Sequence, residues 1–378
     1  MDTYYLHTEH MDVGYDNKPL IRDIGIGVKR GEILTLIGPN GSGKSTILKS
    51  IIRQLKLLAG VVVLDRHAMA GMKESEIAKK MAIVMTERIR AELMTGYDVV
   101  ATGRYPYTGL LGILSGEDRK KTQEAIELVH AQDYCGQQFT QMSDGQRQRL
   151  LLARAVCQEP EVIVLDEPTS FLDIRHKLEL LEILKKLARE RNVAVILSLH
   201  ELDLAQKISD TVVCVAENGV DRWGTPEEIF QSDYITRLYG MEKGSYSALY
   251  GSLEMPRVPG TPRLFVIGGG GCVSVYRMLQ RRDVPFAAGI LQENDADWTA
   301  AKALAEEVVS VPAFSVPGQE EMDRARALMQ KTKKVLCAVH AFGETNRTNR
   351  ILRDEAEAKG WLLSLERLPE LWTGGGQA

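Results

Sequence analysis

Between a short, mostly apolar run (Glu32–Ile37) and an amphipathic stretch (Ile47–Ile52) lie nine residues that leave the chain little freedom of fold: Gly38-Pro39-Asn40-Gly41-Ser42-Gly43-Lys44-Ser45-Thr46. They satisfy the pattern GxxxxGK[ST]. Glycines let successive backbone N–H groups turn inward around phosphate oxygens, and a helix starting where the turn ends adds the positive end of its dipole. Lys44 is expected to set a point charge against the β- and γ-phosphates, and Ser45 to offer its hydroxyl to Mg²⁺. Gly38, Asn40, Gly41, Ser42, Gly43 and Thr46 complete the candidate cradle. Strand, glycine turn and helix in that order imply an α/β fold.

The rest of the chain alternates accordingly. Strand character marks Val162–Asp166, Val193–Leu199 and Thr211–Val215, with a helix over His176–Arg191, whereas residues 72–155 are helix-rich. A Gly- and Pro-rich stretch at 240–262 reads as a linker. Beyond it the alternation restarts, with a helix expected over Thr299–Val308 before a strand near Val308–Val311. At 378 residues the chain is long enough for two domains, placed here at 1–255 and 262–370.

Val162-Ile163-Val164-Leu165-Asp166-Glu167 describes a buried strand whose end emerges beside the phosphates. Asp166 is expected to hold Mg²⁺ through water, and Glu167 to polarise the attacking water as general base. Taken alone, the pair reads as surface acids at a strand end.

The third motif is Met142-Ser143-Asp144-Gly145-Gln146, about 100 residues after Lys44 and about 20 before Asp166. By itself Ser143 is an ordinary helix N-cap. In this position the segment resembles the LSGGQ signature of ABC ATPases, with Met for Leu and Asp for the first Gly. The resemblance implies a P-loop ABC-type nucleotide-binding domain with a helical subdomain. It also implies ATP and Mg²⁺ as ligands, and a head-to-tail homodimer in which Ser143, Gly145 and Gln146 grip the γ-phosphate held by the facing copy. Glu167-Pro168-Thr169-Ser170-Phe171-Leu172-Asp173 is similar to the family segment ending in the D-loop, which gives Asp173 a role across the dimer. His200 resembles the switch histidine that senses γ-phosphate, and Tyr15 the aromatic that stacks on adenine. Outside the family context, His200 would be structural and Tyr15 a core tyrosine. Lys44, Glu167 and His200 form the implied catalytic set.

Thr86 departs from the pattern, standing where the family has a glutamine that touches Mg²⁺ and couples to the permease; Glu87 follows it. Altered coupling with hydrolysis retained is the expectation, so Thr86→Gln should leave basal hydrolysis similar or higher. Ala101-Thr102-Gly103-Arg104-Tyr105-Pro106-Tyr107 resembles the GRxP stretch of cassettes serving iron–siderophore, haem and cobalamin importers. The implied partners are integral-membrane permease subunits and, indirectly, a substrate-binding protein. The implied place is peripheral, on the cytoplasmic face of the membrane. The rival reading is a soluble ABC ATPase of translation or DNA repair.

Net charge is −4, so bulk charge does not draw the chain to nucleic acid. No signal peptide and no run of about 20 apolar residues is visible. Five scattered cysteines without CxxC spacing argue against a disulfide framework or a zinc site. Gly268-Gly269-Gly270-Gly271 follows a strand in a second, smaller Rossmann-like α/β domain, but the third glycine of GxGxxG is missing. A regulatory small-molecule site and a turn that needs glycine for its geometry both fit.

Overall fold

The computed structural model describes residues 4–85, 93–109, 112–170, 172–217, 219–339 and 341–364. The chain divides into two compact units, Met1–Phe230 and Gln231–Ala378.

The first unit opens with the hairpin β1 (Leu6–Tyr15) and β2 (Lys18–Ile24). Asp16 and Asn17 close it, both at positive φ, a backbone their short polar side chains tolerate. The short β3 (Gly27–Val28) precedes β4 (Ile33–Ile37), α1 (Lys44–Ile51), β5 (Ala59–Leu64), β6 (His67–Ala68), α2 (Glu74–Lys80) and β7 (Met81–Val84). Three helices follow, α3 (Gly96–Ala101), α4 (Gly116–Leu128) and α5 (Asp144–Cys157). Next come β8 (Val162–Leu165), α6 (Ile174–Arg191), β9 (Ala194–Ser198), α7 (Leu202–Ile208), β10 (Thr211–Ala216), β11 (Gly219–Gly224) and α8 (Pro226–Ile229).

One sheet has the order β2-β1-β5-β6, with β3 paired to β1. The other runs β11-β10-β4-β9-β8-β7 and is parallel except at β10–β11. Every residue of β4, β8 and β9 is buried, as parallel strands covered on both faces must be. The structure adds β5, β6 and β11, whose short or mixed patterns give no strong alternation. The helical region is fastened by Arg104, which is 4% exposed and bonds Asp118 at 2.9 Å, Glu159 at 2.9 Å and the Cys157 carbonyl at 2.8 Å.

The second unit begins with α9 (Ser232–Leu238), β12 (Ser245–Ser247) and β13 (Ser252–Glu254). The stretch that reads as a linker therefore holds an antiparallel hairpin, with three-residue strands too short to show a period. Its Tyr246 is buried, and its buried Glu254 pairs with Arg277. Then come β14 (Leu264–Ile267), α10 (Val273–Arg281), β15 (Phe286–Gln292), α11 (Ala296–Leu304), β16 (Glu307–Val311), α12 (Gln319–Thr332), β17 (Val335–Cys337), α13 (Arg347–Ala358) and β18 (Leu362–Leu363). Helix α11 stops at Leu304, earlier than its alanine-rich composition suggests, because pairing with β15 draws Glu307 into β16.

The five strands are parallel in the order β16-β15-β14-β17-β18, that is 3-2-1-4-5 in chain order, with a hydrophobic core on each face. This is the doubly wound arrangement, whose strand order reverses between β14 and β17. The glycine turn after β14 closes on the chain's own carboxylate. Asp297, wholly buried, accepts from the N–H groups of Gly269 (3.1 Å), Gly271 (2.9 Å) and Cys272 (2.8 Å). Gly269, Gly270 and Gly271 all have φ between 83° and 125°, open only to glycine at low cost.

Candidate functional site

Neighbouring parallel strands β4, β9 and β8 deliver their carboxyl ends to one edge of the sheet, so three loops distant in sequence meet there. The turn after β4 leads into α1 through Gly43, at φ 100°, where a Cβ would lie 2.5 Å from Ile21 Cδ1. Lys44 is 4% exposed, and its ammonium donates to the carbonyls of Gly38 at 2.8 Å and Pro39 at 2.9 Å. Burial lowers its pKa, opposed by the charges of Glu167 and Asp166.

At the end of β8 the backbone turns sharply, with Glu167 at φ 47°. Such a conformation is costly for a non-glycine residue and persists only where its surroundings enforce it. The enforcing group is Ser198 at the end of β9. Its hydroxyl accepts from the Glu167 N–H at 2.9 Å and donates to Asp166 Oδ1 at 2.7 Å. The same carboxylate oxygen accepts from Ser45 Oγ at 3.0 Å. His200 Nε2 lies 2.5 Å from Glu167 Oε1, and Ser170 Oγ donates to Glu167 Oε2 at 3.3 Å.

Asn40, Gly41, Gly43, Lys44, Ser45, Thr46, Glu167 and His200 thus line one cleft of about 350 Å³, together with Leu20. Tyr15, half exposed, places its hydroxyl 3.4 Å from Thr46 Oγ1. Gly38 contributes the carbonyl that holds Lys44, and Ser42 is buried beside the turn.

Ser143, Gly145, Gln146 and Asp173 are not in the lining of this cleft. Ser143 caps α5 in a reciprocal box, accepting from the Gln146 N–H at 3.3 Å while its own N–H donates to Gln146 Oε1 at 3.0 Å. Asp173 caps α6, accepting from the His176 N–H at 2.9 Å, and this bond holds its carboxyl below the ordinary range. Thr86 and Glu87 lie outside the described residues.

Ser198 and Leu20 are functional candidates that linear motifs do not show. The available signal for Ser198 was a lone hydroxyl ending an apolar strand, two residues before His200. The donors around Asp166, one carboxylate with the Ser45 hydroxyl, are hard oxygens suited to Mg²⁺ held mainly by a substrate's phosphates. Elsewhere in this unit Thr102, Tyr105 and Pro106 line a groove of about 440 Å³ with Ile52, Arg53 and Ile83.

Two family models match the chain: ABC transporter over residues 21–170, and the MJ0874 family over residues 286–377. An uncharacterized ABC transporter ATP-binding protein of Methanocaldococcus jannaschii is 43% identical over 283 residues, covering 74% of this chain and 98% of that protein. The iron(3+)-hydroxamate import ATP-binding protein FhuC of Bacillus subtilis is 35% identical over 237 residues, covering 63% and 88%. A dimeric ATP-binding cassette solved in a post-hydrolysis state with ADP and Pi superposes with TM-score 0.53 at 25% identity, covering 58% of this chain and 98% of that one.

Proposed function

The chain belongs to the ATP-binding proteins of ABC transporters, and from that footing we propose that it hydrolyses ATP to drive import of an iron chelate through a membrane permease. The observation that carries the hydrolytic part is the joint approach of Lys44, Ser45, Glu167 and His200 to one cleft. Lys44 and the turn's N–H groups bind the β- and γ-phosphates, and Tyr15 packs against adenine. Glu167 polarises the attacking water while His200 contacts the γ-phosphate, and the charge developing on the transferred group is met by Lys44 and His200. Ser45 and Asp166 would hold Mg²⁺, which when bound would supply positive charge against the phosphates.

The chain works as a homodimer in which Ser143, Gly145, Gln146 and Asp173 of one copy complete the cleft of the other. Their position outside the chain's own cleft favours this arrangement, as does the dimeric form of the similar cassette. The groove at Thr102, Tyr105 and Pro106 receives the permease, its walls combining Ile77, Met81 and Ile83 with Arg53, Glu74 and Arg154. Among the described residues no helix is long and apolar enough to cross a membrane, so docking supplies the attachment. The hydroxamate-import relative favours an iron chelate as cargo and transport over a role in translation or repair. A substrate-binding protein acts indirectly, through the permease.

Co-purification with membranes, combined with ATPase assays of wild type and Glu167→Gln, tests this reading. The wild type should hydrolyse ATP and sediment with permease-containing membranes. A Glu167→Gln protein with unaltered turnover would remove the catalytic assignment.

A further inference from the structure

The second unit holds a cavity of about 340 Å³ at the carboxyl ends of its parallel strands, beside the point where the strand order reverses. Open α/β sheets bind small molecules at this place. Ile290, Val311 and Val339 give it apolar walls, and Asp295 and Thr348 give it polar ones. The start of α13 opens onto it without a side-chain cap, because Asn346 spends its amide on the Gly343 N–H and the Ala341 carbonyl.

Two features define the ligand. The glycine turn's N–H groups are already taken by Asp297 and, for Gly270, by Asp295, so a diphosphate would meet negative charge where donors normally wait. Among the described residues no Lys or Arg lines the cavity to compensate a phosphate. Asp295, just beyond β15, the second strand of the parallel sheet in chain order, stands where an acid in such folds accepts from a ribose diol.

We propose that this cavity binds a nucleoside lacking phosphate, with its ribose on Asp295 and its base between Ile290, Val311 and Val339. The adjoining loop at 312–318 carries exposed Phe314 and Val316, with Phe314 at φ 60°, and supplies an apolar flap beside the mouth.

Equilibrium dialysis of the full chain, with the first unit's cleft saturated by excess ATP, tests the proposal. The probes are adenosine, guanosine, cytidine, uridine and NAD⁺. One nucleoside should be retained per chain, and NAD⁺ should not. Asp295→Asn, which keeps the cap on α11, should weaken retention about three- to tenfold. Retention of none of the four nucleosides, preferential retention of NAD⁺, or wild-type affinity in the Asp295→Asn chain would overturn the assignment.

Discussion

Ser198 donates its hydroxyl to Asp166 across adjacent strands at 2.7 Å, and the same oxygen accepts the N–H of Glu167. One side chain therefore sets both the carboxylate proposed for Mg²⁺ and the backbone turn that aims the proposed base. Ser198→Ala should lower kcat roughly tenfold with little change in the KM for ATP, since a small misplacement at reacting atoms is costly. It should also cost about 1–3 kcal/mol in stability through the orphaned N–H, measurable by urea denaturation.

Glu167 lies against His200 within the cleft, and the two have separable tasks. Glu167→Gln should reduce steady-state hydrolysis about 10²- to 10⁴-fold while leaving ATP binding intact, as read by nucleotide-binding titration beside turnover. Loss of binding in parallel with loss of turnover would count against a base role.

Composite sites make a sharper prediction. Lys44→Ala and Ser143→Ala chains should each be inactive, yet their mixture should recover hydrolysis, because the mixed dimer retains one intact pairing of phosphate loop and Ser143. Ser143→Ala should also cost about 1 kcal/mol in stability through its lost cap on α5. Failure of the mixture to regain activity would place Ser143 outside the reaction.

The helical region should be acid-sensitive through Asp118. The Ser115 hydroxyl, then Arg104, hold its carboxyl below the ordinary range. A depressed carboxyl pKa stabilises the fold at neutral pH, and that contribution fades as pH falls below about 4. Asp118→Asn should flatten this part of the stability–pH curve. Arg104→Ala should cost about 3–5 kcal/mol by stranding buried acid, read by chemical denaturation at pH 7.

Legibility in the sequence followed locality. The phosphate loop, Asp166 and Glu167 were visible because glycine, lysine and the paired acids act within a few residues of one another. Their meeting with His200 followed from parallel alternation. Ser198 was obscure because its partners lie on another strand, 31 and 32 residues away. The hairpin at 245–254 hid among glycines that also mark linkers. Ser143 reads both as a helix N-cap and as a proposed contact to a facing copy, and a single chain displays only the capping geometry. The glycines at 268–271 were ambiguous for a related reason: their occupant, Asp297, sits on the helix after the next strand.

That buried aspartate has a further consequence. A turn shaped to cup negative charge holds a permanent tenant of its own, so its glycines serve the architecture with no nucleotide bound. Exchanging Asp297 for a small neutral residue would vacate the cup in a single step, and inorganic phosphate or acetate in the buffer should then restore the lost stability by filling it. Receptor and mere corner are, at this place in the chain, one codon apart.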